Sequence, residues 1–336
     1  MSAPIAVIGG GAWGTALAWL LAGKGEQVRL WAFEPEVAAG IVANHENKLF
    51  LPGVSLPTAL EPTTSLAEAV DGVTLVVFVV PSHAAAKVAA SLAPHLPAGV
   101  PLVTATKGIE PEKLRLISEL LEETLPARRG PVFALSGPSF AVEVCRHLPT
   151  AVALAGSPGA QAEALQRLLM TPAFRVYLSE DRIGVQLGGA LKNVIALAAG
   201  VVDGLGLGHN TRAALITRGL AEMVRLGVAM GADARTFAGL SGIGDLALTC
   251  TGGLSRNRSV GVQLGQGKKL ADILAGTRTV AEGVGTAKAA KALAERYRVE
   301  MPIVREVCAV LFDGKDTRRA VTDLMERAAR PEIDRP

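Results

Sequence analysis

Aromatic residues, cysteines and net charge are all scarce in this chain of 336 residues, and each scarcity excludes a class of protein. Aromatic residues make up 4% of the chain, which argues against the stacking platforms that bind single-stranded nucleic acid. The net charge of +3 is too small to indicate a nucleic-acid or acidic-membrane surface. The three cysteines are widely spaced and the five histidines have no ligand spacing, so we predict neither a disulfide framework nor a metal site.

Long uninterrupted apolar runs are also missing, although hydrophobic residues make up 49% of the chain. The densest run, residues 73–80, is far shorter than the roughly 20 residues that a membrane-spanning helix needs. A second apolar stretch, residues 190–202, is interrupted by Lys192 and Asn193. The first residues, MSAPIAVIGG, lack the basic and long apolar segments of a signal peptide. We therefore expect a cytoplasmic protein without a membrane span.

Strand-like and helix-like patterns alternate strictly along the first half of the chain. The strand predictions are residues 5–8, 27–31, 73–80, 101–105 and 132–135, with weaker candidates at 151–155 and 174–178. Helices are predicted between them at 13–21, 35–44, 82–92, 111–125 and 158–170, whereas residues 46–63 are predicted to be a proline-punctuated loop. Such alternation indicates βαβ units and a mostly parallel sheet.

The pattern changes near residue 180, after which we find helices and almost no strand-like runs. The predicted helices are residues 182–202, 210–230, 255–264, 281–297, 302–312 and 316–327. We therefore predict two domains, an α/β domain in residues 1–180 with a doubly wound sheet and an all-helical domain in residues 181–336. The tail from residue 330 onward is predicted to be frayed.

Gly9, Gly11 and Gly14 form a GxGxxG motif directly after the first predicted strand. The first glycine permits a tight turn, the second lets a pyrophosphate approach the backbone, and the third lets the helix pack closely on the sheet. The N-terminus of that helix adds unpaired N–H groups and a partial positive charge. The motif alone is weak evidence, but the strand before it and the helix after it favour a Rossmann-like, dinucleotide-binding domain.

Two neighbouring residues compete for the position that contacts the adenosine ribose. Glu34 lies 20 residues after Gly14, as an acidic ribose ligand should. The second strand, however, is predicted to end at Trp31 or Ala32, so Phe33 can occupy that position and Glu34 can begin a helix instead. No arginine or lysine lies between residues 30 and 40 to hold a 2′-phosphate, which favours NAD over NADP.

Lys192 is the only charged residue between Arg182 and Asp203, within a helix that is otherwise strongly apolar. Burial would lower the pKa of this lysine toward the range useful for proton transfer. The alternative is a lysine that extends its amine to the surface. Gly188 and Gly189, about one turn earlier, are expected to leave room for a ligand beside it.

Four further segments are candidates for ligand contact. Lys107 and residues 137–139 follow predicted strands, at the edge of the sheet where ligands bind. Asp245 ends a glycine-rich loop and could hold the helix lysine in place or cap the following turn. Ser255 suits a helix N-cap, and Arg256 and Arg258 beside it could hold a phosphate. For each, the alternative is an ordinary solvated loop or turn.

A series of sequence motifs covers nearly the whole chain in a recognisable order. They are GGGAWGTALA at 9–18, VVPSH at 79–83, ATKG at 105–108, SGPSFA at 136–141, IGVQLGGALKNVIALAAG at 183–200, TRGLAEM at 217–223, GIGDL at 242–246, LTCTGGLSRNR at 248–258 and VEMPI at 299–303. On these motifs the chain resembles the bacterial NAD(P)-dependent sn-glycerol-3-phosphate dehydrogenases. The blocks at 183–200 and 255–258 are the most specific.

The resemblance implies that the chain reduces dihydroxyacetone phosphate to sn-glycerol 3-phosphate with NADH or NADPH, for glycerophospholipid synthesis, and forms a homodimer. It implies that Lys192 is the catalytic acid–base, which we pair with Asp245. The implied substrate contacts are Lys107, Gly137, Ser139, Lys192, Asp245, Ser255, Arg256 and Asn257. With the glycine motif, the expected cofactor contacts are Gly9, Gly11, Ala12, Trp13, Gly14, Phe33, Lys107, Ala141, Arg256, Val280 and Glu282.

Three questions stay open at this point. Many bacterial members have arginine or histidine where Phe33 stands, and those residues suit NADPH, so the choice between NAD and NADP is undecided. The enzyme could instead be another β-hydroxyacid or ketopantoate-type dehydrogenase, although a phosphate anchor in the SRNR segment favours a triose phosphate. A non-enzymatic dinucleotide sensor is the third alternative, and it would leave a buried Lys192 unexplained.

Overall fold

The computed structural model describes residues 3–276, 281–329 and 331–332, and eight strands in this part form one sheet. The order is β3-β2-β1-β4-β5-β6-β7-β8. The strands are β1 Ile5–Ile8, β2 Val28–Trp31, β3 Leu60–Thr63, β4 Leu75–Phe78, β5 Leu102–Thr104, β6 Val132–Ser136, β7 Thr150–Ala155 and β8 Phe174–Ser179. Strands β1 to β6 are parallel, β7 is antiparallel to β6, and β8 is parallel to β7.

Helices flank this sheet and then make up the rest of the described chain, which confirms the predicted fold class. The helices among the strands are α1 Ala12–Gly23, α2 Pro35–Asn44, α3 Leu66–Val70, α4 Ser82–Leu92, α5 Ile117–Thr124, α6 Ala141–Cys145 and α7 Ala160–Leu169. The later helices are α8 Arg182–Gly204, α9 Gly208–Ala229, α10 Asp245–Thr251, α11 Arg256–Gly265, α12 Leu270–Ala275, α13 Glu282–Tyr297, α14 Pro302–Phe312 and α15 Thr317–Met325.

The central strands are apolar throughout because both faces of the sheet are covered. In β1, Ile5 and Val7 join the hydrophobic core on one face, whereas Ala6 and Ile8 join the core on the other. Side chains alternate between the two faces of a strand, so a strand buried on both sides needs apolar residues at every position. The glycine motif follows directly on such a strand.

The last four residues of the predicted loop 46–63 form an edge strand, so that prediction is wrong for them. Leu60–Thr63 pairs in parallel with Val28–Trp31. Only Leu60 of this strand is buried, so the apolar run that identifies the central strands is missing. Pro62 is tolerated because an edge strand needs hydrogen bonds on one side only.

The helix predicted at 111–125 begins later, at Ile117. The carboxylate of Glu110 accepts hydrogen bonds from the backbone N–H groups of Glu112 and Lys113, which forms a separate turn. Leu114 then adopts a positive φ of 60°, which is incompatible with a continuous helix.

The reversal at β7 determines where the long helix α8 begins. Because β8 runs against β1–β6, it ends at the amino edge of the parallel strands, where the Arg182 guanidinium donates a 2.9 Å hydrogen bond to the carbonyl of Val132 at the start of β6. Ten residues of helix then rise about 15 Å. Gly189 already lies against Ser136, at the end of β6. Helix α8 therefore carries Lys192 to the carboxyl edge of the sheet.

Helix α8 is the centre of the helical region. Of the described helices it is the one long and apolar enough to cross a membrane, but 89% of its apolar 18-residue segment is buried inside the protein. Helix α11 packs so closely that a Cβ on Gly200 would lie 2.1 Å from the carbonyl oxygen of Arg258. A Cβ on Gly261 would likewise lie 2.0 Å from the carbonyl oxygen of Leu197. This close packing places the first turn of α11 beside α8.

Candidate active site

The three glycines of the motif occupy positions with different steric demands. Gly9 has a φ of 127°, and a Cβ there would lie 2.6 Å from the carbonyl oxygen of Val79. A Cβ on Gly14 would lie 1.9 Å from the carbonyl oxygen of Gly9, because α1 packs directly on the turn. A Cβ on Gly11, the residue before Ala12 at the start of α1, would meet nothing within 4 Å. The space beside Gly11, at the N-cap of α1, is therefore open.

The residues after β2 divide into an exposed ring and a helix start. Phe33 is 70% exposed and contacts the Trp31 ring edge-on, with 6.3 Å between the ring centroids. Glu34 occupies the N-cap position of α2, with Pro35 as the first helical residue. Phe33 is therefore the more accessible of the two side chains at the end of β2.

A buried carboxylate lies between two lysines at the carboxyl edge of the sheet. One oxygen of Asp245 is 2.5 Å from the Lys192 amine and the other is 2.8 Å from the Lys107 amine. The Lys192 amine also donates a 2.8 Å hydrogen bond to the hydroxyl of Thr249. Asp245 has no solvent exposure and Lys192 has 6%, so this lysine does not extend to the surface.

Burial and neighbouring charges shift both partners of this ion pair. Burial, reinforced by the nearby Lys107 charge and only partly offset by Asp245, lowers the pKa of Lys192 to about 8. Burial acts to raise the pKa of the Asp245 carboxyl, but the two lysines outweigh it and keep that pKa below its usual value. The site therefore holds an ionised carboxylate next to an amine that can release its proton near neutral pH.

Lys107 connects this cluster to the end of β6. Its amine donates to the carbonyl of Gly137 at 2.8 Å and to the hydroxyl of Ser139 at 3.2 Å. It also lies 5.8 Å from the centre of the Trp13 ring, at the start of α1. The indole N–H of Trp13 is buried and has no hydrogen-bond partner in the described part of the chain. An N–H group of this kind can donate a hydrogen bond to a molecule bound in the cleft.

A pair of asparagines links α8 to α11 and α13. The Asn257 amide donates to the Asn193 carbonyl oxygen at 2.9 Å and accepts from the backbone N–H of Gly283 at 2.9 Å. Asn193 in turn donates to the backbone carbonyl of Lys107 at 3.2 Å. The amide of Asn257, a predicted substrate contact, is thus bonded to other parts of the protein, with its side chain at the cleft wall.

The first turn of α11 presents one free arginine. Ser255 is the N-cap, as predicted, and its hydroxyl accepts from the backbone N–H of Arg258 at 3.2 Å. Arg256 is exposed and makes no hydrogen bond or ion pair with any residue that the structure describes. The side chain of Arg258 instead pairs with Asp203, so the two arginines do not share one site.

Glu282 lies opposite this turn, at the start of α13. Its carboxylate accepts from the hydroxyl and the backbone N–H of Ser82, at 2.6 and 3.2 Å. Burial raises the pKa of this carboxyl above its usual value. Val280, a predicted cofactor contact, lies outside the described residues.

Gly188 and Gly189 do not leave the space for a ligand that we expected. A Cβ on Gly188 would lie 2.2 Å from the carbonyl oxygen of Ser241, and one on Gly189 would lie 2.4 Å from the Ser136 hydroxyl. Both glycines therefore let neighbouring protein segments approach α8.

Most of the predicted contacts line one open cleft of about 1190 Å³. Its predicted lining residues are Ala12, Trp13, Lys107, Ser139, Ala141, Lys192, Ser255, Arg256, Asn257 and Glu282. Gly137 and Asp245 lie behind Lys107, whereas Gly9, Gly11, Gly14 and Phe33 are not in the lining. The described residues contain no group of three His, Cys, Asp or Glu that could hold a metal ion.

Asn193 and Thr249 contact this cluster and were not predicted. The sequence holds a signal for each, since Asn193 interrupts an apolar helix directly after Lys192. Thr249 is one helical turn after Asp245, at the i+4 position that shares its face.

Comparison with known proteins gives matches over nearly the whole chain. The family models for the N-terminal and C-terminal parts of NAD-dependent glycerol-3-phosphate dehydrogenase match residues 4–162 and 181–322. A glycerol-3-phosphate dehydrogenase (NAD(P)+) from Geobacter sulfurreducens is 56% identical over 99% of both chains.

Solved structures agree with these sequence matches. The crystal structure of glycerol-3-phosphate dehydrogenase from Coxiella burnetii has a TM-score of 0.93 and 41% identity, covering 97% of this chain and 99% of that one. A ketopantoate reductase from Ralstonia eutropha covers 96% of this chain and all of its own, but with 16% identity and a TM-score of 0.64 it shares the fold alone. The chain therefore belongs to the NAD-dependent glycerol-3-phosphate dehydrogenase family.

Proposed function

We propose that this chain catalyses the reversible reduction of dihydroxyacetone phosphate to sn-glycerol 3-phosphate with NADH or NADPH. The observation that carries the proposal is the buried Lys192–Asp245–Lys107 cluster, which lies at one cleft with the free Arg256. The cluster can give a proton to a carbonyl oxygen, and the arginine can hold a phosphate. The names of the relatives support this pairing of substrate and cofactor.

The residues at the start of α1 fit a dinucleotide. The open space at Gly11 admits a pyrophosphate to the helix N-terminus, and the unpaired indole N–H of Trp13 offers it or the nicotinamide a donor. When bound, the nicotinamide supplies the hydride that C2 of the substrate receives. The proposed cofactor contacts are Gly9, Gly11, Ala12, Trp13, Gly14, Phe33, Lys107, Ala141, Arg256, Val280 and Glu282.

The substrate phosphate is held at the first turn of α11 in this proposal. Arg256 offers charge-assisted hydrogen bonds, and Ser255 and Asn257 lie beside it at the cleft wall. Binding energy from the phosphate, which does not react, then orients the carbonyl group for reduction. Gly137 and Ser139 fix the position of the Lys107 amine from the opposite side.

Lys192 donates a proton to the C2 oxygen as negative charge develops there. Asp245 holds the Lys192 amine in place, and the positive charge of Lys107 adds to the stabilisation of the developing alkoxide. In the reverse direction, the neutral amine of Lys192 takes the proton from the alcohol. A pKa of about 8 lets this group do both near neutral pH.

Several wider properties belong to the same proposal. We infer a dinucleotide domain in residues 1–180 and a substrate domain in residues 181–336, which the family-model boundary at residue 181 supports. We also infer a cytoplasmic homodimer that supplies glycerophospholipid synthesis. Light scattering of the pure protein tests the dimer, for which we expect twice the chain mass of 34.7 kDa.

Following the absorbance of the reduced nicotinamide tests the activity directly. The pure protein is given dihydroxyacetone phosphate with NADH or with NADPH, and ketopantoate in a parallel reaction. We expect turnover of the triose phosphate and none of ketopantoate, with NADH preferred because no arginine or lysine lies between residues 30 and 40 to hold a 2′-phosphate. Ketopantoate turnover, or cofactor binding without turnover of either substrate, would contradict the proposal.

A further inference from the structure

Asp203 forms a junction of three helices behind the cleft. It lies in the last turn of α8, and its two oxygens accept from Arg212 on α9 and from Arg258 on α11, each at 2.7 Å. The three side chains are 15–24% exposed, so water screens these ion pairs only partly. Arg212 also contacts the ring of His209 at 2.7 Å.

The contact with Asp203 fixes the direction of the first turn of α11. Both the backbone and the side chain of Arg258 are held, the N–H by the Ser255 hydroxyl and the guanidinium by Asp203. Residues two apart on a helix point about 200° away from each other. With Arg258 directed at the end of α8, Arg256 points to the other side of α11, where it lines the cleft.

We propose that Asp203 is a positioning residue for the substrate phosphate, acting through Arg258. It neutralises one arginine of the SRNR segment and holds it away from the cleft, which leaves Arg256 as the phosphate ligand. This inference rests on the proposed function. Without the carboxylate, Arg258 and Arg212 lose their shared counter-charge, and the first turn of α11 keeps its hydrogen bond to Asn193 but loses its tie to the last turn of α8.

Steady-state kinetics of the full-length Asp203→Asn enzyme test the inference. The KM for dihydroxyacetone phosphate should rise about fivefold or more, the scale expected when a coupled pair is broken. We expect kcat to stay within about twofold, because the variant leaves Lys192, Asp245 and Lys107 in place. A loss of folded protein would lower kcat and leave KM unchanged, so the two effects separate.

Three further single variants and one double variant sharpen the test. Glu122→Gln is the matched control, because Glu122 binds Arg182 at the other end of α8 with two contacts of 2.6 and 2.8 Å and should not affect KM. Arg258→Gln should raise KM as Asp203→Asn does, and the double variant should add nothing further. Arg212→Gln should leave KM nearly unchanged, since it keeps the tie between Asp203 and Arg258.

The outcomes separate this inference from the proposed function. An unchanged KM in Asp203→Asn would overturn the positioning role alone. So would a rise in KM in Arg212→Gln and Glu122→Gln as large as the rise in Asp203→Asn. Additive effects in the double variant would do the same. Absence of triose phosphate turnover by the wild-type chain would overturn the proposed function and this inference with it.

Discussion

Lys192 combines burial with two charged neighbours, so its replacement is the most direct test of the site. The Lys192→Ala variant should lose at least ~10² in kcat because it has no group to protonate the C2 oxygen. Stopped-flow or steady-state assays with dihydroxyacetone phosphate measure this loss. Lys87→Ala, a change on the outer side of α4, serves as the control. Turnover equal to that of the wild type would remove Lys192 from the proposed mechanism.

The pH dependence of the reduction follows from the same residue. The amine must be protonated to act as a donor, and its pKa in the free protein is lowered to about 8 by burial. We therefore expect kcat/KM for the triose phosphate to be level below pH 8 and to fall above it. In the oxidation direction the dependence should have the opposite sign. A profile that stays flat well above pH 8 would argue against Lys192 as the proton donor.

Arg256 should affect binding more than turnover. Removing the free guanidinium in Arg256→Ala takes away a charge-assisted contact of about 1.5–3 kcal/mol, so the KM for the phosphorylated substrate should rise at least tenfold. Titration of substrate at saturating NADH measures it. Arg318→Ala, an exposed arginine on α15, provides the comparison. An unchanged KM would move the phosphate site elsewhere.

Individual site residues were predictable where one residue carried a clear anomaly. Lys192 was a candidate because it is an isolated charge in an apolar helix, where burial is costly. Asp245 was a candidate because it follows a glycine-rich segment. The sequence suggested that Asp245 could hold Lys192, but it did not suggest that Lys107 shares this carboxylate, since Lys107 and Asp245 meet across 138 residues of chain. Arg256 and Arg258 look equivalent in sequence, and only the contact with Asp203 separates them.

At the scale of elements, the contact between α8 and α11 depends on glycines at fixed positions. In Gly261→Ala the new methyl would lie 2.0 Å from the carbonyl oxygen of Leu197, so the helices must separate. We expect a loss of about 1–3 kcal/mol in the free energy of unfolding, the usual cost of overpacking. Chemical denaturation measures this change.

The control for that prediction is Gly285→Ala, a glycine within α13 where a Cβ would meet nothing within 4 Å. Alanine is the better helix former, so this variant should gain about 0.5–1 kcal/mol. Equal effects of the two substitutions would mean that helix propensity, and not the close approach of α8 and α11, determines the result.

Elements with a strong local pattern were predicted well, and those formed by tertiary contacts were not. Strands β1 and β4 are continuous apolar runs, and α8 is a long apolar helix, so composition alone identifies them. Strand β3 exists because β2 offers a free edge, and its own residues carry no such pattern. The late start of α5 depends on the Glu110 side chain, which holds a separate turn before the helix. The hydrophobic periodicity of the sequence does not reveal such a side-chain contact.

At the scale of the whole molecule, stability should depend on pH through Glu222. This carboxyl on α9 is buried and accepts from the backbone N–H groups of Ile303 and Val304, at the start of α14. Burial raises its pKa to about 7, and these hydrogen bonds only partly offset the effect. Because the folded-state pKa is raised, the protonated carboxyl favours folding at low pH, and this contribution is lost as the pH rises through about 7.

The Glu222→Gln variant, which does not titrate, isolates that contribution. Its free energy of unfolding relative to wild type should increase with pH between 4.5 and about 7, by at most about 1.4 kcal/mol per pH unit. Denaturation at several pH values measures both proteins. A difference that does not change with pH would mean that Glu222 titrates normally in the folded chain.

Ion pairs at both ends of α8 restrict the insertions and deletions that this helix can accept. Arg182 binds Glu122 at one end and Asp203 binds Arg258 at the other, so sliding the helix to absorb an added residue would break at least one of these ion pairs. One insertion between residues 183 and 191 would turn Lys192 by about 100° and shift it by about 1.5 Å, out of reach of Asp245. A substitution away from the tightly packed glycines of this helix keeps the direction of Lys192, whereas an insertion or deletion before Lys192 changes it.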